Sequence, residues 1–233
     1  MERYIQLESL NELDKIKIQK QLAYVDDGSE GECFLGNDGL AYKLFFSEPF
    51  INDHQGIEPT SVIMEQDLLL ECFAFPKTLY TLSNEIKCYT TRFVNFDLFK
   101  DRSEDASMVI FSLIDNGKFK DAYMEFLEEL KIITANNIKI FDLCNNMLYD
   151  GEKITAIDTI YYTKNHAFTP EELWKFNLSQ FNAAIQEELS AALADCGKES
   201  DVLFDEDMNI DDFLEEVLIR YDGEAILLKK IFG

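Results

Sequence analysis

Two aspartates and an asparagine in the stretch IFDLCNNMLYDGEKITAID, residues 140–158, are the first candidates for chemistry. Asp142 follows Ile140-Phe141 and Asp158 follows Ala156-Ile157, so each carboxylate ends a short apolar run; Asn145 and Asn146 lie between them. Two carboxylates and a carboxamide offer the hard oxygen donors that Mg2+ prefers. One of the acids could instead accept a proton from an attacking hydroxyl. A plainer reading is a hairpin whose polar ends are solvated, turning at Asp150-Gly151.

A second group lies upstream. Gly28 and Gly31 sit between two strand-like runs, and Lys43 follows 12 residues after Gly31 in LAYKLFF. Glycines let backbone amides approach an anion, and a lysine on the neighbouring strand supplies a point charge. The alternative is a glycine-containing hairpin with a lysine on its wet face. Lys43 interrupts the apolar run Leu40 to Phe46, where a charge is costly unless it is paired or solvated. Glu65 in IMEQDLLLE is a candidate partner if that segment is a helix with Ile63, Leu68 and Leu69 on its buried side. Glu71 is the competing acid, and either could be a surface glutamate.

The elements that would position these residues follow from periodicity and breakers. Residues 1–20 carry an imperfect helical face of Ile5, Leu7, Leu10, Leu13, Ile16 and Ile18. Residues 22–46 read as strands broken by glycines. A helix is expected after Pro59, capped by Thr60 or Ser61 and ending before Pro76. EIKCYTTRFV is strand-like, residues 118–136 form an amphipathic helix, and two short strands joined at YDGEK follow. After Asp158 helices are expected over about 170–194 and in NIDDFLEEVLIRYDG, with Asn209 as cap and Gly223 as stop, separated by an acidic, less structured segment. A strand-rich first part and a later hairpin among helices suit a two-lobed α+β fold with a cleft between the lobes.

Composition narrows the function classes. The chain has 233 residues, 47% hydrophobic, with 19 Phe and 10 Tyr, enough for a substantial core. Its 45 acids outnumber 21 Lys and Arg for a net charge of −24, which argues against a nucleic-acid or anionic-membrane partner and makes a cationic one easier, or serves only solubility. No apolar run approaches 18 residues, and the N-terminus is amphipathic rather than signal-like. Five cysteines without short paired spacing suit neither a disulfide framework nor a zinc site, so a cytoplasmic location is expected. His54 and His166 lack metal-spaced neighbours and read as surface positions; Cys144 and Trp174 read as packing residues.

The order glycine hairpin, strand lysine, helix glutamate, Asp-x3-Asn and second Asp resembles the protein-kinase-like superfamily over about residues 22–160. GSEGECFLGNDGLAYKLF looks like the glycine-rich loop and the strand with the phosphate-binding lysine. CYTTRFVNFDLF is similar to the adenine-reading hinge, IFDLCNNML to the catalytic loop, and ITAID to the metal-binding strand. More narrowly, FAFPKTLYTLSNEIKCYTTRFV with FDLCNNMLYDGEKITAIDTIYY resembles small atypical kinase-like proteins of Gram-positive bacteria and their mobile elements.

The resemblance implies a strand-rich N-lobe at 1–94 and a helical C-lobe at 95–233 with an embedded catalytic hairpin. It implies ATP and Mg2+ as cofactors. Gly28, Ser29, Gly31 and Lys43 would hold phosphates, with Glu65 orienting Lys43. Thr91 would stand near the gatekeeper position, and Arg92, Phe93 and Val94 would offer backbone groups to adenine. Asn146 and Asp158 would be the metal ligands and Asp142 the catalytic base. The implied activity is phosphoryl transfer to a hydroxyl of a protein Ser/Thr or of a small molecule, with a cationic acceptor favoured by the acidic surface.

Several positions depart from the family pattern. Asp26 stands where the first loop glycine belongs, Ile140 where the catalytic-loop histidine belongs, and Asn146 follows Asp142 by four residues rather than five. Thr159 and Ile160 replace the phenylalanine and glycine after the metal aspartate. These departures keep open a pseudokinase: a nucleotide-binding or protein-interaction module without turnover.

Overall fold

A computed structural model describes residues 3–46, 58–95, 97–144, 146–205 and 208–222 of the chain. His54, Asn145 and Gly223, named above, lie outside the described residues. The protein is α+β, with a mixed six-stranded sheet and five helices among the described residues. It separates into two compact units: Met1–Val94 with Asp158–Lys164, and Asn95–Ile157 with Asn165–Gly233.

The first unit is built on the sheet, whose strands are β1 (Tyr4–Gln6), β2 (Ala23–Asp27), β3 (Gly31–Leu35), β4 (Leu40–Phe45), β5 (Thr78–Leu82) and β6 (Glu85–Arg92). Their spatial order is β1-β5-β6-β4-β3-β2; β1 runs parallel to β5 and the other pairs are antiparallel. Period-two alternation sorts the side chains of β4 between the two faces. Tyr42 and Leu44 join Leu7, Tyr80 and Cys88 on one face, covered by Leu13 and Ile16 of helix α1 (Asn11–Gln19). On the other face Leu79, Tyr89 and Phe45 pack with Val62, Met64 and Ile160. Each large apolar side chain buried this way contributes about 1.5–3 kcal/mol.

Two expectations are corrected here. Residues 1–20 are not one helix: Tyr4–Gln6 form an outer strand, continued by Leu7 N–H donating to Thr81 O at 2.7 Å, and only Asn11–Gln19 are helical. Nor does a helix run from Pro59 to Pro76; it stops after one 3-10 turn, Pro59–Ser61. Val62, Ile63 and Met64 are all buried, as are Cys72, Phe73, Ala74 and Phe75, and consecutive burial does not suit a one-sided helix. Side chains also replace the helical bonds. Asp67 accepts from Met64 N–H at 3.1 Å and is gripped by Arg3, while Thr91 Oγ1 donates to Ala74 O and Phe75 O at 2.9 and 3.1 Å.

The second unit packs helices α2 (Glu104–Asp115), α3 (Lys118–Ala135), α4 (Pro170–Asp195) and α5 (Ile210–Asp222) around stacked aromatics, among them Phe126 on Phe181 and Phe204 on Phe213. Trp174 on α4 is half-buried rather than part of the core. Thr169 and Glu172 make a capping box on α4, and the expected cap of α5 forms, Asn209 Oδ1 accepting from Asp212 N–H at 3.0 Å. Strand β7 (Ile138–Lys139) leads to a hairpin of β8 (Met147–Tyr149) and β9 (Ile154–Ala156). In its turn Asp150 Oδ1 accepts from Glu152 and Lys153 N–H, and Gly151 takes φ +94°.

The β2–β3 turn supplies a stability test. A Cβ at Gly31 would overlap the backbone carbonyl of Leu44 on β4, 2.9 Å from its carbon, whereas a Cβ at Gly28 meets open space. Gly31→Ala is expected to cost about 1–3 kcal/mol, read as a lower urea midpoint, and Gly28→Ala to change the midpoint little.

Candidate functional site

In the first unit the residues with chemistry line up across the sheet. Asp26 on β2 pairs with Cys33 on β3, Cys33 with Lys43 on β4, and Lys43 with Tyr89 on β6. Directly opposed residues of antiparallel strands project to the same face, so this row shares the face that carries Leu79 and Phe45. Asp158 belongs to the same unit although it lies 115 residues beyond Lys43. Its Oδ2 accepts from Lys43 Nζ and its Oδ1 from the Tyr89 hydroxyl at 2.6 Å. The Lys43 and Asp158 side chains are 18% and 13% exposed, so water screens the pair only partly.

Asp158 takes φ +57°, an uncommon backbone state that aspartate tolerates better than most residues. The segment after it is tied to the same face: Thr159 Oγ1 donates to Ala74 O at 3.0 Å, and Ile160 joins Val62 and Met64. The Tyr161 hydroxyl donates to Glu30 in the turn between β2 and β3. In that turn Gly28 N–H donates to Gly31 O at 3.0 Å, with Ser29 exposed between them.

Glu65 is placed differently from the expectation. It is not on a helix, and its carboxylate faces Lys77 at 3.3 Å, while Lys43 takes Asp158. The reason is local: Glu65 N–H donates to Pro76 O at 2.9 Å, which puts Glu65 beside the next residue, Lys77. Thr91 is buried, its hydroxyl committed to the carbonyls of Ala74 and Phe75. The Arg92 guanidinium donates to Glu71 O, and Phe93 and Val94 lie in the coil after β6.

In the second unit Asp142 and Asn146 are together. Asp142 also takes a left-handed backbone, φ +52°. Asn146 Nδ2 donates to the Asp142 backbone carbonyl at 2.9 Å and approaches its carboxylate Oδ2 at 3.4 Å. The loop is anchored on both sides. Upstream, Asn177 is fully buried on α4; its Oδ1 accepts from Ile140 N–H at 3.1 Å and its Nδ2 donates to Ile138 O at 3.0 Å. Downstream, Asn146 O accepts from Ile157 N–H at 2.8 Å.

The surroundings of this loop are acidic. Burial first, then Glu187, Asp142 and Glu188, push the Cys144 thiol up to about 12, so it packs rather than attacks. Burial also raises Asp97, which accepts from the N–H groups of Tyr149 and Phe99 at 3.0 Å each. Glu188, on α4 beside Arg102 at 3.3 Å, is pushed up to about 7 by burial.

Tyr89, Asn177 and Glu188 are absent from the sequence candidates. Tyr89 and Asn177 belong to runs that read as strand and helix, and nothing in residue type or spacing marks them as polar partners of a site. No family model matches the chain, and no curated protein matches it. No helix among the described residues is long and apolar enough to cross a membrane.

Glu188 gives a pH test. Its carboxyl is raised in the folded state, so the native protein holds a proton that the unfolded chain releases above its ordinary value of 4.5. This contribution is present at low pH and is lost as pH rises from 4.5 through about 7, with Arg102, Asp97 and Glu187 the charges facing it. Across that window Glu188→Gln is expected to gain stability relative to the wild type, measured by urea unfolding at pH 5 and pH 8.

Proposed function

We propose that this protein is an ATP- and Mg2+-dependent phosphotransferase of atypical kinase type, acting on a hydroxyl of a protein Ser/Thr or of a small molecule. The observation that carries this reading is the ion pair between Lys43, on β4, the second strand after the glycine turn, and Asp158, 115 residues later. Lysine and metal aspartate are the two charges through which the kinase-like pattern handles nucleotide phosphates. Accident would not favour these two side chains among the 66 charged Lys, Arg, Asp and Glu residues of the chain.

The roles follow from chemistry. The turn at Gly28, Ser29 and Gly31 would offer backbone amides to phosphate, and Lys43 would leave Asp158 to neutralise it. Among the described residues no cluster of three or more His, Cys, Asp or Glu side chains forms a ready-made metal cage. Mg2+ is commonly held by one or two protein oxygens together with phosphates and water. Asp158 supplies a carboxylate of that kind. That carboxylate suits a cation that arrives with the nucleotide and would neutralise its phosphate charge. In the kinase-like pattern Asn146 would be a further oxygen ligand; within the second unit its amide nitrogen donates to the Asp142 carbonyl. Asp142 would accept the acceptor's hydroxyl proton. The acids around Cys144 and the net charge of −24 favour a cationic acceptor.

A pseudokinase is the second reading, and one observation favours it. Lys43 and Asp158 neutralise one another while Glu65 is engaged with Lys77, so Glu65 does not hold Lys43 towards phosphate. Asp26, on the same sheet row, adds an acid where phosphate would pass.

Thermal unfolding with ATP tests both readings. A nucleotide present at a hundred times its Kd stabilises by about 2.7 kcal/mol, a rise of roughly 5–10 °C for a chain of this size. The rise is expected with Mg2+ and is expected to shrink in Asp158→Ala. Asp142→Ala is expected to keep the rise while phosphate transfer to the protein itself or to basic substrates falls by about a hundredfold or more. Absence of any rise at millimolar ATP would remove the nucleotide reading. A rise without transfer selects the pseudokinase.

A further inference from the structure

We infer that Tyr89 is a positioning residue for Asp158, holding its carboxylate in place when Lys43 turns from Asp158 to a nucleotide phosphate. The inference rests on the function proposed above and concerns a residue that the kinase-like motifs leave unassigned.

The geometry divides the Asp158 carboxylate between two donors. Lys43 takes Oδ2 and the Tyr89 hydroxyl takes Oδ1 at 2.6 Å. The donors differ in mobility. Lys43 reaches Asp158 through a flexible four-carbon stem from β4, and an incoming phosphate competes for the same ammonium. Tyr89 is fixed: it is 2% exposed, its ring lies among Val62, Met64, Leu79 and Ile160, and Phe45 tilts against it at 5.9 Å between centroids. A buried tyrosine hydroxyl needs a partner, and Asp158 is the one it has.

Lys43 and Tyr89 are directly paired across β4 and β6, so one pair of backbone strands sets the spacing of both donors. When Lys43 departs, Oδ2 is released while Oδ1 stays held. The carboxylate keeps its orientation, and Oδ2 becomes the oxygen open to a cation.

Tyr89→Phe removes the hydroxyl and keeps the ring, and two measurements read its effect. In the ligand-free protein, thermal unfolding of Tyr89→Phe, Asp158→Ala and the double variant forms a cycle. Tyr89→Phe is expected to lower Tm by several degrees alone and by much less once Asp158 is Ala. Equal losses in both backgrounds would overturn the contact. In the second measurement, calorimetric titration of a non-hydrolysable ATP analogue, the variant is expected to bind about tenfold more weakly with Mg2+ present and unchanged without it.

Equal weakening with and without Mg2+ would assign Tyr89 a structural role only, and no weakening would overturn the positioning role. A wild type that binds no analogue would remove the proposed function together with the positioning role. A coupled cycle would even then tie the hydroxyl to the carboxylate, so the two failures are distinguishable.

Discussion

A lysine charge set into an apolar strand has to be neutralised, and much of the first unit follows from how that is done. Lys43 lies between Tyr42 and Leu44, both buried on the opposite face, so its ammonium is directed to the face covered by residues 62–75 and 158–162. Asp158 meets it there. Leaving either charge without the other in a partly desolvated setting would be strongly unfavourable. The pair therefore fixes where the chain must return after leaving the first unit at Val94. Thr159 and Ile160 add a hydrogen bond and apolar packing to the same anchor.

The sequence made the need for a partner visible without naming it. An isolated lysine in LAYKLFF announces an unpaired charge, but an acid 115 residues away competes on equal terms with every nearer one. Glu65 was the natural local choice, and its segment carries apolar residues that can be drawn on a helical face. What defeats the helix is long-range: Arg3 holds Asp67, and Thr91 and Thr159 take the carbonyl of Ala74. Elements governed by local chemistry were legible. The glycine-broken strands from Ala23 to Phe45, helix α3, the Asp150-Gly151 hairpin and the capped helices α4 and α5 all carry their signals within a few residues. Strand β1 was not legible, because it forms only by lying beside β5.

The loop at Asp142 is ordered largely through its backbone. Ile140, which leads into the loop, has no side-chain hydrogen bond to give. The chain instead fixes the backbone: Asn177, wholly buried and also bonded to Thr134 Oγ1 at 2.9 Å, clamps Ile138 and Ile140. The amide and carbonyl that a two-residue strand leaves at its end are satisfied from α4, and Asp142 follows in its left-handed state. Order in the loop thus comes from the helix behind it together with the Asn146 side chain.

Strand β2 ends the six-stranded sheet, and all five of its residues, Ala23 to Asp27, are exposed. Such a border offers main-chain groups to any other strand, including those of a second molecule. Tyr24 and Val25 would make that meeting attractive; Asp26 and Asp27 make it repulsive, since two copies joined edge to edge would bring four carboxylates into one ribbon. Charge repulsion along this border therefore opposes edge-to-edge pairing of two copies, and removing the Asp26 carboxylate would weaken that opposition.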